Sequence, residues 1–315
     1  MKVLLIGHSR IARRRVLPAL RSAKIFAITG VASRTARRAD VAPDLELFDD
    51  YEVAIARSGA DLAYVSVANG DHARWAERCL RAGLHVVVDK PACLTPGEAQ
   101  ALVELAASRR RCLAEAIVFP FHPQVGAFLD SFAATGDPPL RATAAFSFPP
   151  LPADDFRHRR ELGGGAINDL GPYVAAASRI LFGGPPRSVA CAIVNRNPDG
   201  VETAFSVLLA YDAHRSLAGH FGFDTAYQNR LLAFGRDVAV EMKRIFTLPS
   251  NEAGRLAVTR DGAERAVEVA PSDMFGEFLL AVAGAIEAGN WDTFSAALLA
   301  DAQLVGQLRQ SSGER

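Results

Sequence analysis

"LLIGHSRIARRR", Leu4–Arg15, runs an apolar strand into a glycine and then into an arginine-rich stretch with helical spacing. A strand, a tight turn and a helix N-terminus in that order form an anion cradle, because unpaired amides and the helix dipole converge there. Dinucleotide-binding folds build it on the spacing G-x-G-x-x-G/A. Gly7 takes the turn position and Ala12 the position of close helix–strand packing. Ser9, however, stands where the middle glycine lets a ligand approach the backbone. Two readings stay open: a variant phosphate loop, or an ordinary strand-to-helix turn. A loop of this kind does not separate them by itself.

Outward from the loop, Val3–Ile6 is a continuous apolar run, as a strand buried on both faces requires. Spacing predicts a helix over Ile11–Ala23, a strand over Ile25–Ala32, a helix over Tyr51–Ser58 and a strand over Asp61–Val67. A helix over His72–Ala82, closed by Gly83, leads to a strand over His85–Val88. Thr95 and Glu98 form a capping box that opens a helix to Arg110, and Cys112–Val118 reads as a fifth strand. Strands alternating with helices predict an α/β class: an N-terminal Rossmann doubly wound parallel sheet over residues 1–118.

After about Phe119 the pattern changes. A helix over His122–Ala133, a strand over Leu140–Phe148, a loop rich in proline and charge over 149–160 and a helix from Gly163–Gly165 to Leu181 follow in turn. Strand-like stretches then run from Ser188 to Arg260, and helices over Met274–Ala288 and Ser295–Ser311 close the chain. This predicts a C-terminal α+β domain over 119–315 with an open, mainly antiparallel sheet, serving substrate binding and oligomerisation. The last helix is expected to pack back on the first domain. An open sheet face calls for cover, which points to a homodimer or homotetramer.

Composition narrows the classes. The 315 residues carry 35 basic and 35 acidic side chains, so nothing favours nucleic acid as a partner. The longest apolar run, Phe278–Ile286, is far below a membrane span. Cys79, Cys93, Cys112 and Cys191 form no C-x-x-C, and the histidines form no H-x-x-x-H, so no metal is expected and reduced thiols in the cytoplasm are. Only Lys2, Lys24, Lys90 and Lys243 are lysines; every other basic residue is arginine. Each lysine therefore merits inspection.

Three further stretches carry chemistry. "VASRTARR", Val31–Arg38, ends the second strand with Ser33 and Arg34, followed by Arg37 and Arg38. A pocket for an unphosphorylated ribose wants a carboxylate there, and none is present. Serine with arginine suits a 2′-phosphate, so NADP(H) is preferred, with NAD(H) as the alternative and a solvated basic turn as the plain one. "VVVDKPACLT", Val86–Thr95, sets Lys90 at the carboxyl end of a parallel strand, where ligands bind in such sheets. "ELGGGAINDLGPYVAAA", Glu161–Ala177, spaces Asp169 and Tyr173 one helical turn apart after a glycine run that permits close backbone approach.

Together these stretches resemble the Gfo/Idh/MocA family of NAD(P)-dependent oxidoreductases. The resemblance spans essentially the whole chain. It rests on the N-terminal loop, "AGLHVVVDKP" (82–91), "EAIVFPFHPQ" (115–124) and "GGGAINDLGPY" (163–173). It implies that Lys90 is the catalytic lysine of the family's E-K-P, with Asp169 and Tyr173 as partners from the second domain. It also implies a cofactor site drawn from Gly7, Ser9, Arg10, Ile11, Ala12, Ser33, Arg34, Arg38, Asn69, His72, Asp89 and Lys90. Three positions depart from the usual pattern: Asp89 for glutamate, Pro120 for arginine and Tyr173 for the commoner histidine. "IARRRVLPAL" (11–20) and "HFGFDTAYQNRLLAFG" (220–235) are similar to nucleotide-sugar ketoreductases within the family. In "DDFRHRRE" (154–161), Arg157, His158 and Arg159 are candidate contacts to a substrate diphosphate, with Lys90, Asp169 and Tyr173 completing the substrate site.

The expected reaction is hydride transfer between nicotinamide and a carbinol or ketone carbon of a sugar-like substrate. Lys90 and Tyr173 are the acid–base groups, and Asp169 orients Lys90 or a substrate hydroxyl. A free-sugar, polyol or dihydrodiol dehydrogenase is one alternative. An NADP-binding regulator without catalysis, motivated by Ser9, Asp89 and Pro120, is the other.

Overall fold

The computed structural model describes residues 1–314, which divide into two compact units: 1–116 with 275–302, and 117–274 with 303–314.

The first unit holds a six-stranded parallel sheet in the order β3-β2-β1-β4-β5-β6. Its strands are β1 (Lys2–Ile6), β2 (Ala27–Ala32), β3 (Glu46–Phe48), β4 (Leu62–Val65), β5 (His85–Val88) and β6 (Leu113–Glu115). The apolar runs of β1, β4 and β5 are almost wholly shut from water, which is why they read as continuous rather than alternating. Helices α1 (residues 10–22), α2 (Tyr51–Arg57), α3 (His72–Arg81) and α4 (Pro96–Arg109) fall between the strands. Strand order reverses between β1 and β4, the switch point at which such sheets bind ligands.

Two local features follow from sequence. Helix α1 winds as a π-helix over Ala12–Val16 and as an α-helix over Leu17–Ser22. Pro18 has no N–H and would crowd the carbonyl four residues back, and the wider turn just before it re-registers the ladder. In α4, Thr95 Oγ1 accepts from Glu98 N at 3.1 Å while the Glu98 carboxylate reaches back to Thr95 N at 3.2 Å, the expected capping box. The fifth predicted strand is shorter than its apolar run. Only Leu113–Glu115 pair, and Phe119–Phe121 turn through a 3-10 helix at Pro120.

The second unit holds an eight-stranded sheet in the order β14-β13-β12-β11-β7-β10-β9-β8. Its strands are β7 (Arg141–Ser147), β8 (Ser188–Arg196), β9 (Glu202–Ala210), β10 (Ser216–Gly222), β11 (Gln228–Phe234), β12 (Val238–Lys243), β13 (Gly254–Arg260) and β14 (Ala263–Val269). All pairs are antiparallel except β7 with β10. Helix α5 (Pro123–Ala133) packs on β12 and β13, and α6 (Ala166–Phe182) on β9 and β10. Apolar side chains also stand in water: Val194 on β8 is 60% exposed, Leu208 on β9 51% and Phe234 on β11 36%. Helix α7 (Met274–Ala288) lies almost wholly in the first unit, and α8 (Asp292–Ser312) is divided between the two. Among the described residues no helix is long and apolar enough to cross a membrane.

Candidate active site

In the first unit, Gly7 leaves β1 with φ 101°, a backbone that L side chains rarely adopt. A Cβ there would lie 2.1 Å from the Ser66 carbonyl oxygen, so the turn admits only glycine. Ser9 is the N-cap of α1. Its Oγ accepts from Ala12 N at 3.0 Å and its carbonyl from Arg13 N at 3.1 Å. Ala12 N is thereby satisfied, while Arg10 and Ile11 hold the first helical positions, whose amides have no intrahelical partner. Arg10, Arg13 and Arg14 are exposed around them. Positive φ, two unpaired amides and a basic rim fit a pyrophosphate, so the residues present suit a dinucleotide.

Beyond β2, Ser33 is buried, and its Oγ accepts from Thr35 N at 3.3 Å and Ala36 N at 3.0 Å. It shapes the turn that carries Arg34. The exposed Arg34 guanidinium lies 4.8 Å from the Tyr51 ring centroid and 5.5 Å from that of Trp75, and those two rings meet edge to face. Two aromatic faces hold its planar fork while leaving its N–H groups to an anion. Arg38 is engaged differently: it donates to the carbonyls of Leu45 at 2.6 Å, Val41 at 2.9 Å and Ala42, fastening the loop before β3.

Around Lys90, which is half-buried, the turn after β5 is fastened on three sides. The Asp89 carboxylate accepts from Tyr64 OH at 2.6 Å and from Ser66 Oγ. Glu115 Oε1 accepts from Ala92 N at 2.8 Å. His72, 1% exposed, sets Nδ1 2.7 Å from the Pro91 carbonyl and Nε2 3.2 Å from that of Val67. Burial pushes the His72 pKa down, which favours the neutral ring with one N–H to give. Burial and the neighbouring Asp89 push Tyr64 well up, which keeps it a donor. His72 thus lies beneath the Lys90 turn rather than at its surface, and Asn69, also buried, opens the short helical turn before α3.

In the second unit, α6 begins where the glycine run allows it. A Cβ on Gly164 would lie 2.6–2.7 Å from the carbonyl oxygens of Phe156, Arg157 and Arg159. A Cβ on Gly165 would lie 2.2 Å from Oε1 of the buried Glu202. One turn into α6, Asp169 is 3% exposed, and its Oδ2 lies 2.9 Å from Arg157 Nε. Arg157 also pairs with Asp155 at 3.3 Å and lies over the Phe156 ring at 4.7 Å. Burial works against the Arg157 charge, but the two carboxylates more than offset it and hold its pKa above the ordinary value. The geometry therefore places Arg157 with Asp169. One turn on, the half-buried Tyr173 ring packs against Phe119, Phe146 and Phe246 at centroid distances of 6.2, 5.1 and 5.3 Å. His158 meets Phe223 edge to face at 5.6 Å, and Phe223 stacks on Phe148.

Sequence reasoning did not find Tyr64, Ser66, Glu115, the aromatic seat of Arg34 or the Arg157–Asp169 pair. Ser66 was within reach, because it follows β4 at the carboxyl edge of the sheet.

A dinucleotide cradle at a switch point, a lysine on the next strand's turn, and an aspartate and tyrosine on one helix define a nicotinamide-dependent oxidoreductase. The chain belongs to the Gfo/Idh/MocA oxidoreductase family. Residues 1–116 match the family's NAD-binding Rossmann-fold domain and residues 137–241 its C-terminal domain. It is 30% identical to the dTDP-3,4-didehydro-2,6-dideoxy-alpha-D-glucose 3-reductase of Streptomyces violaceoruber, over 99% of this chain and 95% of that one. It is 28% identical to D-xylose 1-dehydrogenase (NADP(+)) 2 of Haloferax volcanii, over 91% and 89%. Among solved structures, the 3-ketoreductase KijD10 of Actinomadura kijaniata, in complex with NADP and TDP-benzene, superposes with a TM-score of 0.93. It is 29% identical, over 99% of this chain and 98% of that one.

Proposed function

We propose that the protein is an NADP(H)-dependent reductase of a ketone carbon in a nucleotide-linked sugar. The observation that carries this is the α6 site: Tyr173 set among three phenylalanine rings, one turn from an Asp169 whose charge Arg157 balances. Similarity to dTDP-sugar 3-reductases along nearly the whole chain supplies the substrate class. Bound NADPH supplies the hydride. Tyr173 OH donates the proton to the carbonyl oxygen while the Lys90 ammonium polarises that oxygen, and the tyrosinate takes its proton back from water. Asp169 orients Lys90 or a neighbouring substrate hydroxyl. His158 and the Phe148–Phe223 stack offer flat apolar faces to the nucleotide part of the substrate. Arg34 on its aromatic seat would hold the 2′-phosphate of the cofactor and the α1 amides its pyrophosphate.

The test is single-turnover oxidation of NADPH with a dTDP-linked 3-ketosugar. Lys90→Ala and Tyr173→Phe should each lose about 10²–10⁴-fold in rate at saturating cofactor. Wild-type rates in both would remove the assignment. The likeness to a xylose dehydrogenase favours one second reading, oxidation of a free sugar. Faster NADP⁺ reduction with D-xylose than turnover of the ketosugar would select it. The exposed Val194, Leu208 and Phe234 side chains support a homodimer or homotetramer covering the sheet, which light scattering on the eluted protein measures. Four buried, unpaired cysteines fit a reducing, cytoplasmic setting.

A further inference from the structure

Ser9, which stands where dinucleotide loops carry glycine, and Asp89, which stands for the family's glutamate, meet at one side chain. Ser66 is fully buried at the end of β4. Its Oγ lies 2.7 Å from Ser9 Oγ and donates to Asp89 Oδ2. A hydroxyl has one proton to give. Ser66 gives it to the carboxylate, so Ser9 must be the donor to Ser66. Ser9 Oγ in turn accepts from Ala12 N. Every bond therefore has one direction: Ala12 amide to Ser9, Ser9 to Ser66, Ser66 to Asp89. Tyr64 OH occupies the other carboxylate oxygen. Asp89 immediately precedes Lys90, and Ser9 caps the helix whose first amides would hold the cofactor's pyrophosphate. Glycine at position 9 would have no hydroxyl to start the chain.

We propose that Ser9, Ser66 and Asp89 form a positioning relay tying the phosphate loop to the Lys90 turn, so that cofactor bound at the loop orders that turn. The relay deepens the cofactor reading above. Its test does not require Lys90 to be catalytic, because it reads binding and amide protection rather than turnover.

Among the described residues Ser9 and Asp89 share no direct hydrogen bond, and Ser66 is bonded to both, so coupling carried by the relay is lost when Ser66 is alanine. The experiment is a double-mutant cycle of Ser9→Ala and Asp89→Asn on the NADPH dissociation constant, repeated with Ser66→Ala. Each single change should weaken NADPH about three- to tenfold, as for one hydrogen bond. The double change should weaken it little further, and the coupling should vanish when Ser66 is alanine. In parallel, NADPH should protect the amides of residues 86–95 from hydrogen exchange in the wild type and protect them less in Ser66→Ala. Ser9→Gly, the residue such loops ordinarily carry, closes the same cycle if Ser9→Ala folds poorly. Independent, multiplying effects of the two substitutions would overturn the relay, and so would undiminished protection in Ser66→Ala.

Discussion

Removing the Arg157 guanidinium tests whether the buried pair holds up the start of α6. In Arg157→Gln the Asp169 carboxylate, 3% exposed, loses the charge 2.9 Å away, and Asp155 loses its partner as well. Breaking one side of a buried ion pair costs roughly 3–5 kcal/mol, because the remaining charge stays desolvated. The Arg157 side chain keeps 18% of its surface in water, which places the cost near the lower end, about 3 kcal/mol. For a unit of this size that is a fall in melting temperature of about 6–12 °C. Calorimetry on wild type, Arg157→Gln, Asp169→Asn and the double variant measures it. Removing both charges leaves only Asp155 without its partner, so the double variant should melt above Arg157→Gln alone and below wild type. If Arg157→Gln falls by less than about 2 °C, or if the two effects simply add, the pair is not structural and Arg157 is available to a substrate phosphate.

Three other outcomes follow from the same structure. Arg34→Ala should weaken NADPH about 10–100-fold and leave NADH nearly unchanged, since only the former carries the phosphate that a charged hydrogen bond would meet; tighter NADH than NADPH in the wild type would refute the pocket. His85 Nδ1 accepts from Cys112 N at 2.9 Å and its pKa is pushed down to about 4 by burial and then by Arg111, so the folded ring is neutral where the unfolded one protonates. Stability from this group is present above about pH 6.5 and is lost as pH falls toward 4, and His85→Gln should flatten that limb of a pH series of urea melts. Gly164→Ala should destabilise by about 2–4 kcal/mol or prevent folding, because three backbone carbonyls must move to admit a methyl group; a melting temperature equal to wild type would contradict the packing.

Alternation of buried runs with helical spacing was enough to place β1, β2, β4, β5 and β6 and the helices between them, because burial on both faces leaves an unmistakable apolar signature. Edge strands lack it. β3 has three residues, one of them buried, and β14 reads "AERAVEV" with no residue buried, so neither stood out from loop. The predicted strand from Cys112 to Val118 overshot β6 because its last residues are buried without pairing in the sheet. At the site, Lys90, Asp169 and Tyr173 were legible as unusual residue types at telling positions. The supports of Lys90 were not: Tyr64 and Ser66 come from β4 and its end, His72 from α3 and Glu115 from β6, and only the fold brings them to one turn. Arg157 was legible as a charge but not as the partner of Asp169, since eleven residues running through loop, glycine turn and the start of α6 separate them in sequence.

The parallel pairing of β7 with β10 also bears on how the chain emerges from the ribosome. β7 is made early, yet both of its neighbours come late. Ser147, at its end, bonds to Ala226, 79 residues further on, and β11 pairs with it along its whole length. The strand that becomes the middle of the sheet therefore waits with both edges bare while α6, β8 and β9 are synthesised. The hairpins β8–β9, β12–β13 and β13–β14 can zip locally, but the centre closes last and over long loops, the slowest kind of contact to form. A nascent chain halted before Ser216 presents β7 with neither neighbour made, and such an unpaired strand edge is prone to aggregate.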